Sequence, residues 1–160
     1  MAGNFLDVRG VSRSFPSASG GAATVALQAT DLVVAENDFI TILGPSGCGK
    51  STLLRIVAGL DRQTSGEVLL DGARIGGPGA DRGMVFQSYT LFPWLTVQGN
   101  VCFGLRERGL PRAQQLELAD GFLHQVGLRG FEHHFPKQLS GGMQQRVAIA
   151  RALAKARACC

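Results

Sequence analysis

One stretch of this sequence, Gly44-Pro45-Ser46-Gly47-Cys48-Gly49-Lys50-Ser51, fits the pattern G-x-x-x-x-G-K-[ST]. It follows the apolar, strand-like run 39–43 and precedes the helix-like run 52–58. A strand-to-helix connection is the setting in which this pattern holds phosphates. Four fixed positions and both flanking runs agree, so a glycine-rich turn that matches by accident is the weaker interpretation. The stretch predicts a site for a nucleoside triphosphate.

The residue types of this loop suit a triphosphate, whose concentrated negative charge is best held by backbone N–H groups at a helix N-terminus. Glycines allow the loop to curve inward, because a Cβ would obstruct phosphate oxygens. We expect Lys50 to reach the β and γ phosphates, Ser51 to bind Mg²⁺ and Thr52 to add a phosphate contact. The predicted nucleotide-binding residues here are Gly44, Pro45, Ser46, Gly47, Cys48, Gly49, Lys50, Ser51 and Thr52.

Composition is that of a globular protein. The 160 residues are 45% hydrophobic and 18% charged, which is enough for one domain with a core. No apolar run approaches the roughly 20 residues that cross a bilayer, and the first residues lack a basic region followed by an apolar stretch. We therefore expect a cytosolic chain. The net charge of +4 is scattered along the sequence, so nucleic-acid binding is not expected.

Cysteines and histidines give no pattern of a disulfide framework or a zinc site. Cys48 is interpreted as a small loop residue, with a redox role at the nucleotide site as the alternative. The pair His133 and His134 has no third ligand in the sequence pattern, so we interpret it as a solvated loop pair rather than a metal site.

The first half of the chain mixes strands with one helix. Residues 5–15 and 25–34 are predicted as two strands, joined by the glycine- and serine-rich stretch 16–22. After the phosphate loop and its helix, residues 65–72 predict a short strand that an Asp-Gly turn closes, and 83–86 predict another strand.

The second half has helical periodicity over residues 97–105 and 111–126, and again over 144–156. Pro111 is well placed to open the second of these helices. The predicted apolar stripes are Leu116, Ala119, Leu123 and Val126 in that helix and Met143, Val147, Ala150 and Ala154 in the last.

Three stretches together resemble the nucleotide-binding subunit of ATP-binding-cassette transporters. They are the phosphate loop, Met84-Val85-Phe86-Gln87, and Leu139-Ser140-Gly141-Gly142-Met143-Gln144-Gln145-Arg146. A phosphate loop alone occurs in many NTPases, whereas a following Leu-Ser-Gly-Gly at a helix start is specific to this family. The resemblance covers residues 5 to 154, and the sequences of 84–97 and 101–105 are similar to those of importers of the nitrate, sulfonate and taurine group.

The resemblance implies an α/β fold. It would be a P-loop NTPase sheet with an N-terminal antiparallel β region and an inserted α-helical subdomain that carries the signature motif. The implied division is a nucleotide-binding core over 1–93, a helical subdomain over 94–141, and the signature helix with an aberrant C-terminus over 142–160.

The resemblance also assigns roles to two residues outside the loop. Phe15 matches the aromatic residue that stacks on adenine, and an ordinary apolar residue at a strand end is the alternative. Gln87 matches the glutamine that binds Mg²⁺, lies near the attacking water and reports the nucleotide state to the membrane partner. A solvent-facing glutamine is the alternative there.

Ser140, Gly141 and Gly142 would present a hydroxyl and backbone N–H groups to the ATP that a second subunit holds. The implied working unit is a head-to-tail dimer with two ATP molecules at its interface. Taken alone, Ser-Gly-Gly is an ordinary helix N-cap. Met143 stands where the family usually has glutamine.

Partners follow from the same resemblance. The cluster Leu91-Phe92-Pro93-Trp94 matches the region that docks on transmembrane permease subunits, with core packing as the alternative. A solute-binding protein would take part indirectly, and the chain would lie on the inner face of the cell membrane. The transported solute cannot be named, since other subunits select it.

After residue 154 the sequence departs from the family pattern. The family continues through a strand whose aspartate holds Mg²⁺ and whose glutamate polarises the attacking water, and later through a switch histidine. Here Lys155-Ala156-Arg157-Ala158-Cys159-Cys160 follows instead. We therefore expect a truncated or frame-shifted product, with deliberate shortening as the alternative, and we expect negligible hydrolysis and marginal stability for the chain alone. The functional alternatives are a non-catalytic nucleotide-binding module and a soluble ATPase of the same family.

Overall fold

Two long antiparallel strands begin the fold, as predicted. The computed structural model describes residues 4–16, 21–79, 81–88, 90–106 and 109–155. Strand β1 (Asn4–Phe15) pairs along its length with β2 (Thr24–Ala35), so that Phe15 lies opposite Thr24. The hairpin-like start is therefore confirmed.

A second hairpin extends this sheet on the other side of β1. Strand β3 (Ser65–Leu70) pairs antiparallel with β1 and with the short β4 (Ala73–Arg74). Asp71 and Gly72 both have positive φ, of 48° and 75°, which is the backbone of the tight turn that an Asp-Gly pair favours. The strand order is β2-β1-β3-β4.

Helix α1 (Lys50–Val57) covers this sheet and completes its core. Leu53 and Ile56 lie one turn apart on the helix and are both buried, as the 3.6-residue period requires. The buried residues of this core are Val8, Val11, Leu27, Leu53, Ile56 and Val68. Because Lys50 is the first residue of α1, the core fixes the end of the helix that carries the phosphate loop.

Two predicted strands are wrong. The runs 39–43 and 83–86 belong to none of the strands of the described chain. Phe39 and Leu43 are 93% and 86% exposed. A strand needs a partner for its N–H and C=O groups, and within the described residues no strand pairs with either run, so composition alone could not make them strands.

Three helices form the second half around their own core. They are α2 (Val97–Arg106), α3 (Arg112–Gln125) and α4 (Gly141–Lys155), with a 3₁₀ turn at Pro136–Gln138 before the last. The predicted stripes are confirmed, because all eight of their members are buried in this core or packed against it. The buried residues are Val97, Val101, Cys102, Leu105, Ala119, Leu123, Leu128, Leu139, Val147, Ala150 and Ala154.

The chain divides into two compact units at Gly79. The first contains the sheet and α1, and the second contains residues from Asp81 onward with α2, α3 and α4. The signature helix shares one core with the other helices, and the predicted division at residues 93 and 141 stays a prediction. In the ranges that the structure describes, no helix is both long and apolar enough to span a membrane.

Candidate functional site

The phosphate loop bends sharply before α1. Gly47 and Gly49 have φ of +84° and +96°, the left-handed region that other residues rarely adopt. Gly49 is the N-cap of α1 and has no side chain that could cap the helix. The first hydrogen bond of the helix is the one that the N–H of Leu53 donates to the carbonyl oxygen of Gly49. The N–H groups of the residues before Leu53 in the helix therefore have no acceptor within the helix.

Lys50 places its charge inside this loop. Its ammonium donates to the carbonyl oxygens of Gly44 at 2.7 Å and Pro45 at 2.6 Å, and lies 3.4 Å from the sulfur of Cys48. The charge lies beside a helix N-terminus, where the partial charge of the helix is also positive. The arrangement is suited to an anion and not to a cation.

A triphosphate with Mg²⁺ fits the residues of this loop. The position where a Cβ of Gly47 would stand has no atom within 4 Å, so the loop is open there. The Ser51 side chain is exposed beside the loop and offers a hydroxyl oxygen, the kind of ligand that Mg²⁺ prefers. Thr52 follows with a half-buried side chain.

Phe15 lies in the same unit, at the end of β1. Its ring is exposed on the surface, and the guanidinium of Arg13 lies 4.3 Å from the ring centroid. Arg13 also forms an ion pair with Asp61 at 2.9 Å. One face of the ring is thus occupied by a fixed cation, which the sequence did not indicate.

Gln87 and the signature stretch lie in the second unit. Gln87 is exposed in a bend that lies outside the strands and helices. Ser140 is the residue before α4, and its hydroxyl oxygen accepts a hydrogen bond from the N–H of Met143 at 3.3 Å. Ser140, Gly141 and Gly142 are all exposed. The N-cap interpretation of Ser140 is confirmed, and the helix end remains open on its outer side.

An aromatic patch, defined here as Phe92, Trp94 and Phe103, lies after Gln87. The Phe92 ring is 5.5 Å from that of Trp94 and 4.5 Å from that of Phe103. Trp94 is 71% exposed, whereas Leu91 packs against the helical core. Core packing therefore holds for Leu91, and the docking interpretation of the exposed Trp94 stays a prediction.

Sequence reasoning missed two side chains that organise this region. Asn100 is fully buried in α2 and accepts from the N–H of Phe92 at 2.8 Å. Its amide nitrogen lies within 3.2 Å of the carbonyl oxygens of Phe92, Leu95 and Thr96. A polar residue on the apolar face of α2 was the available signal. Arg151 of α4 is the other, and burial lowers the pKa of its guanidinium.

The comparisons agree with this geometry. A family model described as "ABC transporter" matches residues 27–159. The chain belongs to the ABC transporter family. The region that this family model matches includes the phosphate loop, Gln87 and the signature stretch.

Two relatives and one solved structure define the similarity further. An uncharacterized ABC transporter ATP-binding protein of Methanocaldococcus jannaschii is 63% identical over 81% of this chain and 48% of its own length. A nitrate import ATP-binding protein of a Synechocystis species is 49% identical over 93% and 55%. A dimeric ATP-binding cassette in a post-hydrolysis state bound to ADP and Pi aligns with a TM-score of 0.86 at 36% identity, over 94% of this chain and 69% of that chain. The chain spans about half the length of the two relatives.

Proposed function

We propose that this ABC chain binds MgATP at Gly44–Thr52 as part of an ATP-binding subunit of an importer. The observation that carries the proposal is the phosphate loop, where Lys50 is the first residue of α1 and its ammonium contacts the carbonyl oxygens of Gly44 and Pro45 in the loop. A loop of this geometry has donors and positive charge, and the space at the Cβ position of Gly47 is free of atoms within 4 Å.

In this proposal Lys50 leaves the carbonyl oxygens of Gly44 and Pro45 and donates to the β and γ phosphates. Ser51 and Gln87 would hold Mg²⁺, which supplies neutralisation of the phosphate charge when bound. Thr52 adds a phosphate contact. Phe15 offers its ring to the adenine, which would stack against the face that Arg13 does not cover.

The signature stretch acts on the ATP of a second subunit. Ser140, Gly141 and Gly142 lie exposed at the start of α4, where N–H groups and the helix dipole favour an anion. The similar solved cassette is described as dimeric, which supports a head-to-tail dimer for this chain.

The importer role has two supports. The Synechocystis relative is named for nitrate import, and the exposed Trp94 offers a rigid aromatic anchor of the kind that protein interfaces use. The proposed partner of the aromatic patch is a transmembrane permease, with a solute-binding protein acting on that permease. The chain would lie on the cytoplasmic face of the membrane.

A second candidate is a nucleotide-binding module that does not hydrolyse ATP. Residues 133–160 contain no Asp or Glu, so this stretch itself offers no acidic side chain to polarise a water. We propose that this chain alone binds MgATP and turns it over negligibly. ATPase activity above that of a Lys50→Ala control would contradict this part.

Binding of MgATP, measured by calorimetry, tests the site. Lys50→Ala and Lys50→Met should each weaken binding by about 10- to 100-fold, since a hydrogen bond to a charged group contributes roughly 1.5–3 kcal/mol. Lys137→Ala is the matched control, because Lys137 is exposed and carries the same charge. If the Lys50 variants bind like the control, the site assignment is wrong.

Co-purification with a permease distinguishes an importer subunit from a soluble ATPase.

A further inference from the structure

Arg151 contacts the segment that follows Gln87 in three ways. Its guanidinium donates to the carbonyl oxygen of Thr90 at 2.9 Å and to the hydroxyl of Thr90 at 3.1 Å. The same group lies 5.4 Å from the centroid of the Phe92 ring, within the range of a cation–π contact. Arg151 lies in α4, the helix that Ser140 begins, so these contacts join the signature helix to the aromatic patch.

Arg151 contacts a residue whose backbone conformation is unusual. Thr90 has a φ of +45°, and for a β-branched side chain that conformation is an outlier. Such a conformation persists only where surrounding contacts hold it. The two hydrogen bonds from Arg151 reach this same residue, one to its main chain and one to its side chain.

The partly buried charge of Arg151 is not balanced by a carboxylate among the residues that the structure describes. Removing a guanidinium from water is unfavourable unless polar groups replace the lost hydration. Thr90 and the face of Phe92 supply that replacement. Asn100 fixes the next part of the same segment from α2, through both the N–H and the carbonyl oxygen of Phe92.

We propose that Arg151 is a positioning residue that holds Thr90 to Phe92 against the signature helix, so that α4 and the aromatic patch move together. The functional meaning rests on the proposed function, in which α4 contacts ATP and the patch contacts a permease. A shift of the signature helix would then reach the permease surface through Arg151. The positioning itself is a property of this chain and can be measured without either partner.

Amide hydrogen exchange of the whole chain provides the test, with the exchange of the α3 segment around Leu123 as internal reference. Arg151→Met keeps an apolar stem but removes the donors. It should raise exchange over residues 90–95 by about tenfold, the effect of losing a charge-assisted hydrogen bond on a local equilibrium. Arg151→Lys keeps the charge but not the two-point geometry, and should give a smaller increase. Trp94 is the only tryptophan, so acrylamide quenching reports the same change independently.

Rescue distinguishes positioning from general packing. Thr90→Gly adopts a positive φ without strain and should restore part of the protection when it is combined with Arg151→Met. Three outcomes would overturn the proposal: unchanged exchange over 90–95, an equal increase around Leu123, or no rescue by Thr90→Gly. MgATP affinity should be unchanged in every Arg151 variant. Failure of the nucleotide site would appear instead as unchanged affinity in the Lys50 variants.

Discussion

Gly47 and Gly49 have almost the same backbone conformation but different surroundings. A Cβ on Gly49 would lie 2.7 Å from the carbonyl oxygen of Ala26 and 3.0 Å from a methyl carbon of Leu27. A Cβ on Gly47 would have no atom within 4 Å. Gly49 is therefore needed for the close approach to β2 as well as for its φ, while Gly47 is needed only for its φ.

This difference predicts unequal costs for the same substitution. Gly47→Ala should lower the free energy of unfolding by about 1 kcal/mol, from left-handed strain alone. Gly49→Ala should lower it by roughly 2–4 kcal/mol, because the clash with the backbone of β2 adds to the strain. Urea unfolding without nucleotide measures both. Equal losses would show that the contact between Gly49 and β2 has no energetic weight.

At the scale of elements, periodicity was sufficient for the helices and insufficient for two strands. Helices α2, α3 and α4 satisfy their own backbone hydrogen bonds, so a stripe of apolar residues defines both the element and its buried face. The run 39–43 has the composition of a strand, but a strand also depends on a neighbour that no local window contains. The pattern of the phosphate loop could be recognised because its residues are consecutive in the sequence. The role of Arg151 could not be predicted, because its hydrogen-bond acceptors belong to Thr90, a loop residue far away in the sequence.

Helix α3 allows a direct test of its predicted stripe. Leu123 is fully buried in the helical core, whereas Leu118 on the same helix is 41% exposed. Both substitutions to alanine change helix propensity equally, so the difference between them isolates burial. Leu123→Ala should cost about 2–5 kcal/mol and Leu118→Ala well under about 1 kcal/mol, measured as free energies of unfolding in urea. Similar costs would contradict the assignment of the buried face.

At the scale of the whole molecule, each compact unit carries one described cysteine. Cys48 is exposed in the phosphate loop, with its sulfur 3.4 Å from the Lys50 ammonium. Cys102 is buried in α2, and burial raises the pKa of its thiol. The thiolate is the nucleophile that attacks an alkylating reagent and displaces its halide, so these two sulfurs should report on the two units separately. Replacing Cys159 and Cys160 by serine leaves only this pair.

With iodoacetamide at pH 8, Cys48 should label readily and Cys102 should not, as peptide mass spectrometry would show. At MgATP about a hundred times its Kd, labelling of Cys48 should slow by up to about 100-fold, because little of the site remains free. Cys102 should remain unlabelled with or without nucleotide. Its raised pKa stabilises the fold below the ordinary thiol pKa of about 8.5, and that contribution is lost as the pH rises further. Labelling of Cys102 should therefore begin only at high pH, together with loss of helical circular dichroism. Protection of Cys48 that persists in Lys50→Ala would mean that the nucleotide binds elsewhere.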